Sequence, residues 1–318
     1  MFNLVQKRRF FFLLSASIII PGILIMIYST ITTGSPFRLS IDFVGGSIYE
    51  IKFTTEGANE DNLRAVFADF GEENVIVQSL GDAGEYRWSI RAGFETQEVT
   101  DQILNGLETI APLDRSSLRI EQVSATVGRE VAQAAFLAVI VASLIVTGFI
   151  VIAFRQVPKA ARYGACAIAA MLHDVLLVCG IMSLMGLIFG WEIDALFLTA
   201  LLTVVGYSVQ DTIVMFDRIR ENIPKHIGEP YEAIVNRSIW ETIHRSLATQ
   251  LNAFFIMAAI LLFGGETIKQ FIAIMFLGLI SGTYSSIFNA VPLLVAWEKG
   301  EIPFLKGDEF IAAKPVEA

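Results

Sequence analysis

The chain has 318 residues, 54% of them hydrophobic and only 17% charged, with a formal net charge of −9. That composition excludes a soluble globular class and identifies a membrane protein. The acidic balance argues against a nucleic-acid partner, because domains that bind nucleic acid carry basic patches.

In chain order, six stretches are long and apolar enough to cross a bilayer core, which takes roughly 20 residues of helix. They cover residues 10–31, 131–154, 163–189, 195–216, 246–265 and 270–297. The first is too long for a removable signal sequence and has no small-residue cleavage site, so it is expected to remain as an anchor. The chain then divides into an N-terminus with the first span (1–34), a hydrophilic domain (35–130), a five-span bundle (131–298) and a short tail (299–318).

Basic residues of short loops are held on the cytoplasmic side. Lys7, Arg8 and Arg9 precede the first span, Arg155, Lys159 and Arg162 join the second and third, and Arg218, Arg220, Lys225, Arg237 and Arg245 lie between the fourth and fifth. Both termini are therefore expected in the cytoplasm and residues 35–130 outside it. That segment has 8 Lys and Arg against 17 Asp and Glu, so it accounts for the whole net charge. Solubility of an extracytoplasmic domain explains such acidity.

Within it the hydrophobic period alternates between strand-like and helix-like. The run SIYEIKF reads as a strand, and Leu63, Val66, Phe67 and Phe70 share a helical face. NVIVQSL and YRWSIRA read as strands around the turn GDAGE, Val99, Ile103, Leu107 and Ile110 form a second helical face, and LRIEQVSATVG closes as a strand. The order βαββαβ predicts a ferredoxin-like α+β domain, four antiparallel strands covered by two helices. No triad, metal-ligand spacing or phosphate loop marks it as a catalyst. Cys166 and Cys179 lie about 20 Å apart along one helix, too far for a disulfide.

Polar residues inside the spans carry the functional signal, because ionisable groups at that depth are costly and usually paired. The third span holds His173 and Asp174, the fourth Thr203, Tyr207, Gln210 and Asp211. Around the fifth lie Arg245, Thr249, Gln250 and Asn252. Spacing puts Thr203, Tyr207 and Asp211 on one stripe and Arg245, Thr249 and Asn252 on another. If the stripes face each other, Asp211 and Arg245 form either a static salt bridge or a proton site whose protonation follows their separation; the further alternative is that Arg245 snorkels to the membrane surface. His173 and Asp174 point about 100° apart and are not expected to make one site by themselves; Asp174 is free to pair with a neighbouring span and His173 with a carbonyl, and direct proton handling by either is the functional alternative. Asp217, Arg218, Arg220 and Glu221 read as an interfacial ion-pair run ending the fourth span. Gly278, Gly282 and Ser286 recur every four residues, a ridge for close helix packing beside Ser285 and Asn289.

The stretches IDFVGGS, with Asp42, Gly45 and Gly46 at the entry to the domain, LHDVLLVCGIMSLMG, ALLTVVGYSVQDTIVMFDRIREN and HRSLATQLNAF resemble the SecF family of protein-export membrane subunits. The resemblance runs in order over nearly the whole chain. It implies kinship with RND transporters, a separate SecD chain as partner, association with the SecYEG channel and a translocating preprotein, and use of a proton or sodium gradient without a cofactor or metal. The family's fourth-span acid falls on Asp211 and its fifth-span arginine on Arg245. Gln210 stands where the family usually has Asn, and SLATQLN departs from its Thr-rich stretch. An RND-like exporter of small molecules or lipids and a non-transporting scaffold of the translocon are the alternatives.

Overall fold

The computed structural model describes residues 3–72, 75–81, 84–155 and 159–302, apart from the side chains of residues 266 and 267. Residues 82 and 83 of the expected GDAGE turn, and 303–318 of the expected tail, lie outside that set. The chain forms two compact units, one from the residues up to Arg38 and from Ala138 onward, the other from Leu39–Leu137.

In the second unit, the helical turn α2 (Ile41–Val44) leads into strand β1 (Gly46–Lys52), helix α3 (Glu60–Ala68), strands β2 (Ile76–Leu80) and β3 (Arg87–Ala92), helix α4 (Gln97–Ile110) and strand β4 (Arg119–Val123). The sheet is antiparallel in the order β2-β3-β1-β4, the ferredoxin-like arrangement predicted from the period changes. Tyr49 faces Ile90 on one side and Ile120 on the other, so strand alternation delivers Tyr49, Ile51 and Phe53 to the core. Leu63, Phe67, Ile103 and Leu107 meet them there, with Val66, Phe70, Val99 and Ile110 at the margin. Asn59 and Asn62 close a reciprocal cap at the start of α3.

Gly45 has φ +80° and Gly46 φ +129°, conformations open to glycine but strained for other residues. Ser40 caps the turn by accepting from the Asp42 N–H at 3.1 Å. A Cβ on Gly45 would lie 2.7 Å from the Ala125 backbone. The Gly pair is thus required by a tight entry turn packed on the chain's exit from the same unit. That exit differs from expectation: the last strand stops at Val123 and helix α5 (Ala125–Ala153) begins at once, with the Ser124 hydroxyl accepting from the Val127 N–H at 3.3 Å.

The first unit holds α1 (Arg8–Thr33), α5 from Ala138, α6 (Ala160–Phe189), α7 (Ala195–Asn222), α8 (Tyr231–Phe263), α9 (Glu266–Ser285) and α10 (Val291–Glu298). Among the described residues six apolar helices are of membrane-crossing length, with α9 and α10 acting as one span through the π-turn Ser286–Ala290. Pro292 explains that turn, since it lacks an N–H and its ring crowds the carbonyl four residues back. The most apolar windows of α6, α7 and the last span are 50% buried, whereas those of α1 and α5 are 6% buried. α6, α7 and α9 are therefore the centre of the unit.

Small residues bring these helices close. Gly22 of α1 meets Gly180 of α6, where a Cβ would stand 2.8 Å from the facing Cα. Gly278 and Gly282 of α9 lie against Val204 and Ser208 of α7, the helix contact expected from the four-residue ridge. At the other end Tyr163 stacks on Phe154 at 5.6 Å and meets Phe216 edge-on at 5.2 Å. Both cysteines are free, as expected from their separation.

Candidate functional site

Two buried carboxylates within the spans, Asp211 and Asp174, each gather polar side chains from neighbouring helices. Asp211 on α7 is 7% exposed and accepts a hydrogen bond from Gln250 Nε2 of α8 at 2.7 Å. Ser246, one turn before Gln250, reaches the same carboxylate. Both donors are uncharged.

Arg245 is exposed and does not pair with Asp211, which corrects the expected pairing of the two stripes. Successive helical residues are about 100° apart. Ser246 and Gln250 share the face of α8 turned to α7, which leaves Arg245, Thr249 and Asn252 on the adjacent, exposed face. The Thr249 hydroxyl bonds back to the Arg245 carbonyl at 2.9 Å. On α7 the expected stripe divides as well. Asp211 turns inward beside buried Ser208 and Thr212, while Tyr207 is 38% exposed, Gln210 is exposed and Thr203 half-buried. Thr203, Tyr207 and Gln210 thus belong to an open polar face of α7, and Arg245, Thr249 and Asn252 to an open face of α8.

The second carboxylate is Asp174 on α6, fully buried at 0% exposure. Its Oδ2 accepts from the hydroxyls of Ser208 on α7 at 2.5 Å and Ser285 on α9 at 2.6 Å. Its Oδ1 accepts from Ser281 on α9 at 2.6 Å and lies 3.0 Å from His173 Nδ1. His173 was expected to bond a carbonyl, with its side chain directed away from Asp174. The ring instead folds back, because Nδ1 is close enough to Cβ to span the angle between neighbours. Among the described residues, Asp174 pairs with adjacent spans through the hydroxyls of Ser208, Ser281 and Ser285.

Ser208, Ser281 and Ser285 as carboxylate donors were not legible from the sequence, although Ser281 and Ser285 recur at i and i+4 and Ser208 stands three residues before Asp211. The four-residue ridge predicts a helix contact for Ser285, which instead bonds the carboxylate. Asn289, expected beside the same ridge, donates from Nδ2 to Ser15 Oγ of α1 at 2.9 Å.

At the far end of α7, Arg220 pairs with Asp217 at 2.6 Å and Arg218 with Glu221 at 2.7 Å, the interfacial run expected from spacing. Arg218 also reaches Glu241 of α8 at 2.6 Å, and Asn222 donates to the same carboxylate at 2.7 Å, so this run ties two helices together. Asp42, Gly45 and Gly46 belong to the other unit and act there as the entry turn. Among the described residues no group of three or more His, Cys, Asp or Glu could hold a metal ion.

Comparison with known proteins identifies the family. The family described as protein export membrane protein SecD/SecF, C-terminal, matches residues 102–300, and the SecD/SecF GG motif matches residues 30–56, which contain Gly45 and Gly46. The protein translocase subunit SecF of Anaerolinea thermophila is 43% identical over 303 residues, covering 95% of this chain and 96% of that protein. That of Thermobaculum terrenum is 43% identical over 310 residues, with 94% of each covered. The crystal structure of SecDF from Thermus thermophilus, a translocon-associated membrane protein, superimposes with a TM-score of 0.75 at 28% identity. It covers 94% of this chain, which spans 39% of the SecDF chain. With a family model over residues 102–300, the GG motif over residues 30–56 and SecF subunits 43% identical over nearly the whole length, the chain belongs to the SecF group of the SecD/SecF protein-export family.

Proposed function

We propose that this chain is the ion-coupling half of an accessory export complex. It associates with a separate SecD-type six-span chain and the SecYEG channel, and draws on the proton gradient, or a sodium gradient, to promote late movement of a preprotein. The carrying observation is Asp211, a carboxylate buried in an apolar helix on neutral donors, beside an open polar face. Such a group is expensive in a membrane unless it is used. The SecDF neighbour, of whose chain this one spans 39%, supports association with a SecD-type half.

Arg245 enters as the second state of this site. A turn of α8 by about 100° would replace Ser246 with Arg245 opposite Asp211. A neutral donor set favours the protonated carboxyl relative to a cation, and a cation favours the ionised one. Exchange of these neighbours links proton uptake and release to helix movement, and it requires differential contacts in the two states. Both termini lie in the cytoplasm and the ferredoxin-like unit outside a bacterial inner membrane on this reading, as the Lys and Arg distribution indicates.

The test is preprotein translocation into inverted vesicles holding the chain, its SecD-type partner and SecYEG, with and without a proton gradient. Asp211→Asn and Arg245→Met are expected to abolish the gradient's added effect while complex assembly is unchanged. Retention of that effect in both variants would show that Asp211 is structural.

A further inference from the structure

Asp174 remains unused by this reading, and its surroundings are more unusual than those of Asp211. A fully buried carboxylate with three hydroxyl donors from two other helices has no lysine or arginine paired with it among the described residues. Helix packing alone does not call for it, because the glycine contacts at Gly278 and Gly282 already seat α9 on α7. Removing a charge from a membrane interior is normally favourable, so a retained acid at this depth points to work done by the acid itself.

The hydroxyls are arranged so that their direction can reverse. Ser285 Oγ stands 2.6 Å from Asp174 Oδ2 and also 3.2 Å from the Gly282 carbonyl, a second acceptor for the same proton. With Asp174 ionised, Ser285 donates to the carboxylate. When a proton arrives on Oδ2, the Ser285 hydrogen can turn to the Gly282 carbonyl, and the Ser285 oxygen then accepts from the new carboxyl O–H. One proton is gained, one negative charge is cancelled, and no buried donor or acceptor loses its partner. Ser208 can reverse likewise, since a helical serine can bond the carbonyl four residues back.

We propose that Asp174 is a second proton-binding carboxylate of the helical unit, communicating with Asp211 through Ser208. Ser208 and Asp211 are three residues apart on α7, about 4.5 Å in axial rise, and both are buried. The groups facing Asp174 are few. α6 itself contributes His173, α7 contributes Ser208 with Asp211 a turn beyond, and α9 contributes Ser281 and Ser285. Tyr284 of α9 also lies against the His173 ring at 6.0 Å between centroids. Beyond Tyr284, its hydroxyl donates to the Phe11 carbonyl of α1 at 2.9 Å and neighbours Ser15, which is bonded to Asn289. Asp174 is thus the meeting point of a polar thread toward α1 and a short link to Asp211. The proposal rests on the ion-coupling reading for its purpose, and its test does not.

The experiment is infrared pH-difference spectroscopy of the full chain in lipid nanodiscs, following the carbonyl band of a protonated carboxyl shielded from water. Asp174→Asn is expected to remove a component that Asp211→Asn retains. Ser281→Ala combined with Ser285→Ala keeps the carboxyl but removes two partners, and is expected to move that component in frequency without abolishing it. A folded Asp174→Asn protein with an unchanged spectrum would overturn the proposal. If Asp174→Asn does not fold, an unchanged spectrum in the double serine variant overturns it equally. Should Asp211→Asn retain gradient-driven export while the Asp174 component is present, the functional reading fails and this one stands.

Discussion

Substituting Gly278 by alanine tests whether the α7–α9 seam holds the polar groups in register. The added Cβ would lie 2.8 Å from Val204 Cγ1 and 3.0 Å from Val204 Cβ. Because Val204 Cβ is itself in the way, no rotation of the valine clears the contact. Carbon atoms favour separations of about 3.5–4.0 Å, so the helices must part by roughly 0.5–1 Å, enough to forfeit a quarter to a half of the attraction along the seam. Overpacking of this kind costs about 1–3 kcal/mol, and alanine returns up to about 1 kcal/mol of helix propensity over glycine. The expected net loss is about 0–2 kcal/mol, read by denaturing-detergent titration of the full chain in mixed micelles. The same displacement pulls Ser208 from Asp174, since Val204 and Ser208 are one turn apart on the same face. Val204→Ala should restore part of the loss in the Gly278→Ala background, with a coupling of at least about 1 kcal/mol. Additivity of the two substitutions to within about 0.5 kcal/mol would refute the reasoning, because side chains not in contact behave that way.

Two further outcomes follow from the packing of the termini and the entry turn. Gly45→Ala forces a side chain into a glycine conformation and against the Ala125 backbone; it should cost the ferredoxin-like unit at least about 1–3 kcal/mol, seen as a lowered melting temperature. Arg8 hydrogen-bonds Glu301, with Nε donating to Oε2 at 2.9 Å, and this holds the Glu301 carboxyl below the usual glutamate range. A depressed carboxylate contributes stability above its unfolded pKa, and that contribution is lost as the pH falls through the folded value. The stability gap between wild type and Arg8→Gln should therefore be full at neutral pH and shrink on acidification below about 4.3. A gap that stays constant from pH 7 to strongly acidic conditions would show that the ion pair does not set it.

In the ferredoxin-like unit, periodicity alone determined both the element order and the inward faces. Leu63, Phe67, Ile103 and Leu107 point to the core because water on one side and apolar neighbours on the other give each amphipathic helix one favourable rotation. In the membrane the number of the spans was equally legible, and so was the burial of Asp211, whereas α8 begins at Tyr231, well before the expected start of the fifth span. What the sequence left open was azimuth. A span bordered by lipid on one side and by apolar helices on the other gains little from any particular rotation, so residue spacing states which groups share a face but not which helix that face meets. Arg245 with Thr249 and Asn252, and Ser246 with Gln250, are both self-consistent stripes on α8. Only the glycine-mediated approach of α9 to α7, and the packing of α6 and α8 around that seam, turned Gln250 toward Asp211 and three serines toward Asp174. Those choices rest on close contacts between residues distant in the chain, and no local pattern encodes them.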